Sequence, residues 1–255
     1  MSLTETDFIT LIKNQFIYKL KAHIGLLNRL AVAQLVILLL TFGRTGMSGS
    51  GGDSIDFEIQ RYANYLFLII SMMGVTIIGV MLSNETFRNT DFTFVSNRLS
   101  SNLSNIVFLL TVSVVAGMTA SLYGVVIRLL LYFTQGSENI IGENFFLAPK
   151  ELLLGIFGAI LYMILFSAIG YFLGTLTKSS RSRFLLPVLV TLFLVTLVSL
   201  FIMIPNGSQT TIFSALYQFF AHEKNLFIFM VKILVIGGLL FLGSILVSNR
   251  REVRQ

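Results

Sequence analysis

The stretch LLLGIFGAILYMILFSAIGYFLGTL, residues 152–176, holds no charged side chain and no proline. An α-helix needs about 20 apolar residues to cross a hydrocarbon core about 30 Å thick. This run is long enough, and five more like it surround it. On the N-terminal side they fall at about 106–131, 62–82 and 23–42, and on the C-terminal side at about 184–204 and 226–247. The pattern predicts an all-α membrane protein with six transmembrane helices, read as a single transmembrane domain over residues 1–255.

Composition agrees. Hydrophobic residues make up 55% and charged residues 12% of the chain, against about 45–50% and about 25% in soluble domains. Six spans leave little chain for a soluble domain. No GxxxxGK[ST] phosphate loop is present, so any ATP chemistry would belong to another chain. There is no cysteine, which removes disulfide and thiol chemistry. No cleavable signal peptide is expected, because residues 1–22 are amphipathic and charged rather than a basic start followed by an apolar run.

The net charge of +6 is unevenly placed. With the N-terminus inside, the inner segments carry Lys13, Lys19, Lys21, Arg29, Arg88, Arg98, Lys178, Arg181, Arg183, Arg250, Arg251 and Arg254. The outer ends carry Arg44, Arg61, Arg128, Lys150, Lys224 and Lys232. Twelve against six favours both termini in the cytoplasm. The excess reads as an orientation signal and a contact with anionic lipid. No basic face with interleaved exposed aromatics points to nucleic acid.

Residues 7–22 predict an amphipathic helix, with Phe8, Ile9, Ile12, Phe16 and Leu20 on one face and Lys13 and Lys21 off it. Such a helix would lie along the inner membrane surface with its lysines towards headgroups. The first span is the least apolar, with Asn28 and Arg29 in its inner part. Residues 43–56, with Gly46, Gly49, Gly51 and Gly52 among serines, read as a flexible outer loop. Lys178, Arg181 and Arg183 mark an inner loop. Ile212, Phe213, Leu216, Phe219 and Phe220 share a face, predicting a short outer helix before the sixth span.

The segment between the second and third spans is too apolar for a purely solvated link. Phe92, Val95, Leu99 and Leu103 are spaced for a short helix with one apolar face. Catalytic candidates are absent by contrast. The central thirds of the spans hold no Asp, Glu or His, which argues against a proton-coupled carrier. His23 and His222 fall near opposite faces and cannot share a metal. Arg128 and Lys232 lie towards the outer ends of the third and sixth spans. Their ordinary reading is snorkelling to the interface; the sharper one is a substrate path with an outer vestibule that attracts anions. Ala116, Ala120 and Gly124, the pair Gly170 and Gly174, and Gly237 and Gly238 are sites of close helix approach.

This layout resembles the permease subunit of a type-2 ABC exporter. The inner segment carries one local match, Phe94-Val95-Ser96-Asn97-Arg98 followed by Leu99-Ser100-Ser101-Asn102-Leu103, where Arg98 stands at the family arginine and the family's proline is missing. A second is Gly170-Tyr171-Phe172-Leu173-Gly174-Thr175-Leu176-Thr177-Lys178, similar to the family's end of span four. The resemblance implies two permease chains, the same or related, with two ATP-binding subunits that hold ATP and Mg. This chain would bind no cofactor and catalyse nothing. The segment 88–103 would be a cytoplasmic coupling helix, with Arg88, Asp91, Phe92, Phe94, Val95, Arg98 and Leu99 touching the ATPase. The cargo would be amphipathic or lipidic, and the setting a bacterial cell membrane.

Two other classes stay open. An ATP-independent carrier or channel would need a polar path, for which the spans offer Thr111, Ser113, Thr119, Ser121, Ser167, Thr191 and Thr196. Lone hydroxyls of this kind more often bond back to helix carbonyls. A non-transporting immunity or sensor subunit would look the same in sequence.

Overall fold

A computed structural model describes residues 8–45, 53–83, 98–135, 149–176 and 226–250. Among the described residues there are six helices and no strand: α1 (Phe8–Ala22), α2 (Ile24–Thr45), α3 (Asp53–Leu82), α4 (Arg98–Gln135), α5 (Pro149–Leu176) and α6 (Leu226–Arg250). Three contain stretches long and apolar enough to cross a membrane, at Leu99–Val126, Leu152–Leu176 and Phe227–Ser248, and a fourth crossing results if α1 and α2 count as one bent span. Phe67–Leu82 of α3 is apolar but shorter. The protein is therefore all-helical where described and compatible with a multi-pass membrane protein. The runs at 184–204 and 210–220 lie outside the described residues.

The helix of the quoted stretch, α5, is the hub, packed against α3, α4 and α6. Its proline stands at the first helical position, where a missing N–H costs nothing. Glycines set the tightest approaches. A Cβ on Gly170 would collide with the Thr76 carbonyl oxygen, one on Gly174 would sit 2.7 Å from the Ser83 Cβ, and one on Gly79 would sit 2.8 Å from the Ser167 carbonyl. The pair Gly170 and Gly174 thus serves α3–α5 packing within the chain. On the other flank, Gly117 of α4 lies against Ile160, where a Cβ would be 2.7 Å from the Ile160 Cα. A Cβ on Gly238 would meet nothing within 4 Å among the described residues.

These contacts fix the helix directions. Thr76 faces Gly170 and Val80 faces Gly174, so α3 and α5 run parallel. Gly117 faces Ile160 while Ser113 bonds to Met163, so α4 is antiparallel to α5. Leu30 faces Gly74 and Gln34 bonds to Ser71, so α2 is antiparallel to α3. Tyr162 meets Phe229 and Tyr171 meets Phe241, so α5 and α6 are parallel. One end of the bundle, the proximal end, therefore collects the stops of α3, α5 and α6 and the starts of α2 and α4. The main core joins Leu26, Val75, Phe108, Val112, Met163 and Tyr171; a smaller one joins Leu161 and Leu165 to Phe229 and Ile233.

Three sequence expectations are revised. The helix that contains the expected third span is longer than the run at 106–131: α4 is continuous from Arg98, so residues 98–103 of the expected coupling segment form its first turns, and residues 88–97 lie outside the described residues. No proline interrupts residues 98–135, so nothing local stops the helix there. The outer loop expected at 43–56 is shorter, because α2 runs to Thr45 and α3 starts at Asp53. The amphipathic helix forms as expected, but it turns a polar stripe inward: Gln15 and Lys19 are buried while Phe8 and Ile9 are exposed. Its axis bends by 49° into α2. His23 marks the break, where a tighter Leu26 N–H to His23 carbonyl bond closes the turn.

Candidate functional site

Polar side chains converge at the proximal end, where α1 meets the first turns of α4 and the last turns of α5. Lys19 is 2% exposed. Its Nζ donates to Ser104 Oγ at 2.7 Å, to Asn105 Oδ1 at 2.5 Å and to the Ser101 carbonyl at 3.1 Å. With the Ser101 Oγ at 3.4 Å, the three N–H groups of the ammonium thus meet four acceptors on one turn of α4. The Ser104 hydroxyl spends its own proton on the Ser101 carbonyl, at 2.8 Å, so its lone pairs are free to face Lys19.

The chain of bonds continues into α5. Asn105 Nδ2 donates to Tyr171 Oη at 3.4 Å, and Tyr171 in turn donates to Asn102 Oδ1 at 3.2 Å. Every donor points away from the ammonium, so each dipole in the series strengthens the next. Tyr171 is 2% exposed, and its ring also packs on Phe241 of α6. One turn beyond Lys19, the buried His23 presents an edge-on contact to Phe108 of α4, centroids 6.1 Å apart. The result is a clamp fastening α1 to α4 and, through Tyr171, to α5.

Of the expected coupling residues, Arg88, Asp91, Phe92, Phe94 and Val95 lie outside the described residues. Arg98 opens α4, three residues before Ser101, and Leu99 is 46% exposed beside it. Arg128 and Lys232 fall in the opposite, distal half, near the end of α4 and the start of α6, and Lys232 is half-buried. His222 lies outside the described residues. No group of three His, Cys, Asp or Glu forms among the described residues.

The hydroxyls that a polar path would need are committed elsewhere. Thr111, Ser113, Thr119 and Ser121 bond to the carbonyls of Val107, Leu109, Val115 and Gly117, and Ser167 bonds to that of Ile164. Thr191 and Thr196 lie outside the described residues.

Sequence reading missed the clamp because Lys19 was counted only as an inner-side charge. Two signals were present. Gln15, Lys19 and His23 recur at four-residue steps, and Ser100, Ser101, Asn102, Ser104 and Asn105 crowd the start of an otherwise apolar helix. Comparison with known protein families, with characterised proteins and with solved structures finds no match to this chain.

Proposed function

We propose that this chain is the membrane-embedded permease subunit of an ATP-driven exporter, working with separate ATP-binding subunits. The observation that carries the reading is the clamp's place. It begins three residues after Arg98, where α4 starts and where the segment expected on the inner side joins it. A push delivered to that segment would enter α4 at its first turn, and Lys19 and Tyr171 would carry it to α1 and α5 together. The five internally bonded hydroxyls speak against a hydrophilic channel through the described helices. They suit a cargo that is amphipathic or lipidic. The cell membrane of a bacterium, and a second permease chain beside this one, belong to the same proposal.

A six-span topology supports this reading and is itself part of it. The parallel directions of α5 and α6 support an odd number of crossings between Leu176 and Leu226. Phe229 lies beside Tyr162, and Tyr162 stands about 20 Å before Leu176 along α5 at 1.5 Å per helical residue. The apolar run at 184–204 is the stretch that could supply this crossing. Both the first and the last described helices then lie with Lys19 and Arg250 at the proximal end, for which the charge count favours the cytoplasm.

The test is gentle purification from the native membrane. A stoichiometric nucleotide-binding partner with ATPase activity is expected, and Arg98→Glu combined with Val95→Asp should abolish its co-purification. An unchanged complex would overturn the proposed contact, and a chain that purifies alone would overturn the exporter reading.

A further inference from the structure

The proximal end is purely cationic among the described residues. All four carboxylates of the described helices, Asp53, Asp56, Glu58 and Glu151, stand at the distal starts of α3 and α5. Residues 8–45 contain none, yet they carry Lys13, Lys19, Lys21 and Arg29 near the proximal end. Lys19 is engaged inside the clamp. Lys13, Lys21 and Arg29 are exposed.

Lys21, Gly25 and Arg29 follow one another at four-residue steps across the bend between α1 and α2. A Cβ on Gly25 would meet nothing within 4 Å among the described residues. Gly25 therefore leaves a gap in the side-chain cover at the bend, a notch one residue wide, with a cation four residues to either side in sequence. Apolar residues border it on the same exposed surface, Ile24 at 56% and Val32 at 58%. Beyond Arg29 the outward side of α2 is apolar, with Leu35 at 59% and Leu39 at 68% exposed. Cations that give way along one helix to exposed aliphatic side chains have the order of a bilayer: phosphate level first, then hydrocarbon.

We propose that the notch at Lys21, Gly25 and Arg29 is a binding site for the phosphate headgroup of an anionic phospholipid. Lys13, about two turns earlier on α1, adds to the same field. The two cations hold the phosphate, while the acyl chains run along Val32, Leu35 and Leu39. A bound headgroup would hold the angle between α1 and α2, and with it the approach of Lys19 to α4. The inference rests on the membrane reading and is independent of any ATPase.

The test uses the detergent-solubilised full chain, titrated with phosphatidylglycerol or phosphatidylcholine and followed by native mass spectrometry. The wild type should prefer phosphatidylglycerol. The variant Lys13→Gln/Lys21→Gln/Arg29→Gln should lose that preference by at least about fivefold, since one cation near an anionic surface is worth about that factor. Gly25→Leu fills the notch without changing charge and should lower it too. Lys19→Gln should loosen the fold but keep the preference. A triple variant with unchanged preference overturns the site, and so does inorganic phosphate that displaces the lipid at equal concentration. A chain monodisperse in water without detergent would instead overturn the membrane reading.

Discussion

A buried ammonium is costly unless its donors are met, and Lys19 sits near the start of α4, where the helix dipole opposes a cation by about 0.3–1 kcal/mol. Hydrogen bonds to a charged group contribute about 1.5–3 kcal/mol each, so the acceptors that Ser101, Ser104 and Asn105 offer outweigh that repulsion. Lys19→Met should therefore destabilise the protein by about 2–3 kcal/mol, which for a chain of this size is a fall in Tm of several degrees. Tyr171→Phe removes one neutral hydroxyl and should cost about 1 kcal/mol. The two positions share Asn105, so their effects should not add: a thermal-denaturation double-mutant cycle should give a coupling of at least about 0.5 kcal/mol. Strict additivity would mean that Asn105 does not transmit between them. None of this was legible in the sequence by hydropathy, because Lys19 on an amphipathic helix has the same pattern whether its ammonium faces headgroups or the oxygens of another helix. Only the polar start of α4 hinted at which.

At the level of elements, packing rather than propensity decides where glycine sits. Gly158 and Gly170 stand on the same helix, and in sequence they are equivalent. A Cβ on Gly158 has open space, whereas one on Gly170 runs into the backbone of Thr76. Gly158→Ala should be neutral or stabilising by up to about 1 kcal/mol, the intrinsic gain of alanine in a helix. Gly170→Ala must displace α3 and should cost about 1–3 kcal/mol, as overpacking does. Thermal unfolding in one detergent compares the two, and equal effects would contradict the close α3–α5 approach. The apolar runs did reveal the helices, since length against bilayer thickness is a strong constraint. Their ends were less legible: Arg98, Leu99 and Ser100 read as part of a short helix ahead of the third span, yet nothing after them breaks a helix, and α4 simply continues through them. Which glycines meet a neighbour depends on helix rotation, and a GxxxG spacing does not encode it.

For the whole molecule, direction is the constraint that binds the parts. The described helices alternate up and down from α2 to α5, and α6 then repeats the direction of α5. That repeat makes the side of the membrane on which residues 177–183 and 205–225 lie a sharp question. Under six spans they lie on opposite sides; with no crossing at 184–204 they would share one. The chain has no cysteine, so single introduced thiols report cleanly. Ser180→Cys should be shielded from a membrane-impermeant maleimide on intact cells and become reactive after permeabilisation, while Asn206→Cys and Ser50→Cys should react from outside. Equal labelling of Ser180→Cys and Asn206→Cys would remove the fifth crossing. Exchanged labelling would keep six spans but invert them, putting the clamp and the cationic notch on the outer face and removing the segment around Arg98 from any cytoplasmic ATPase.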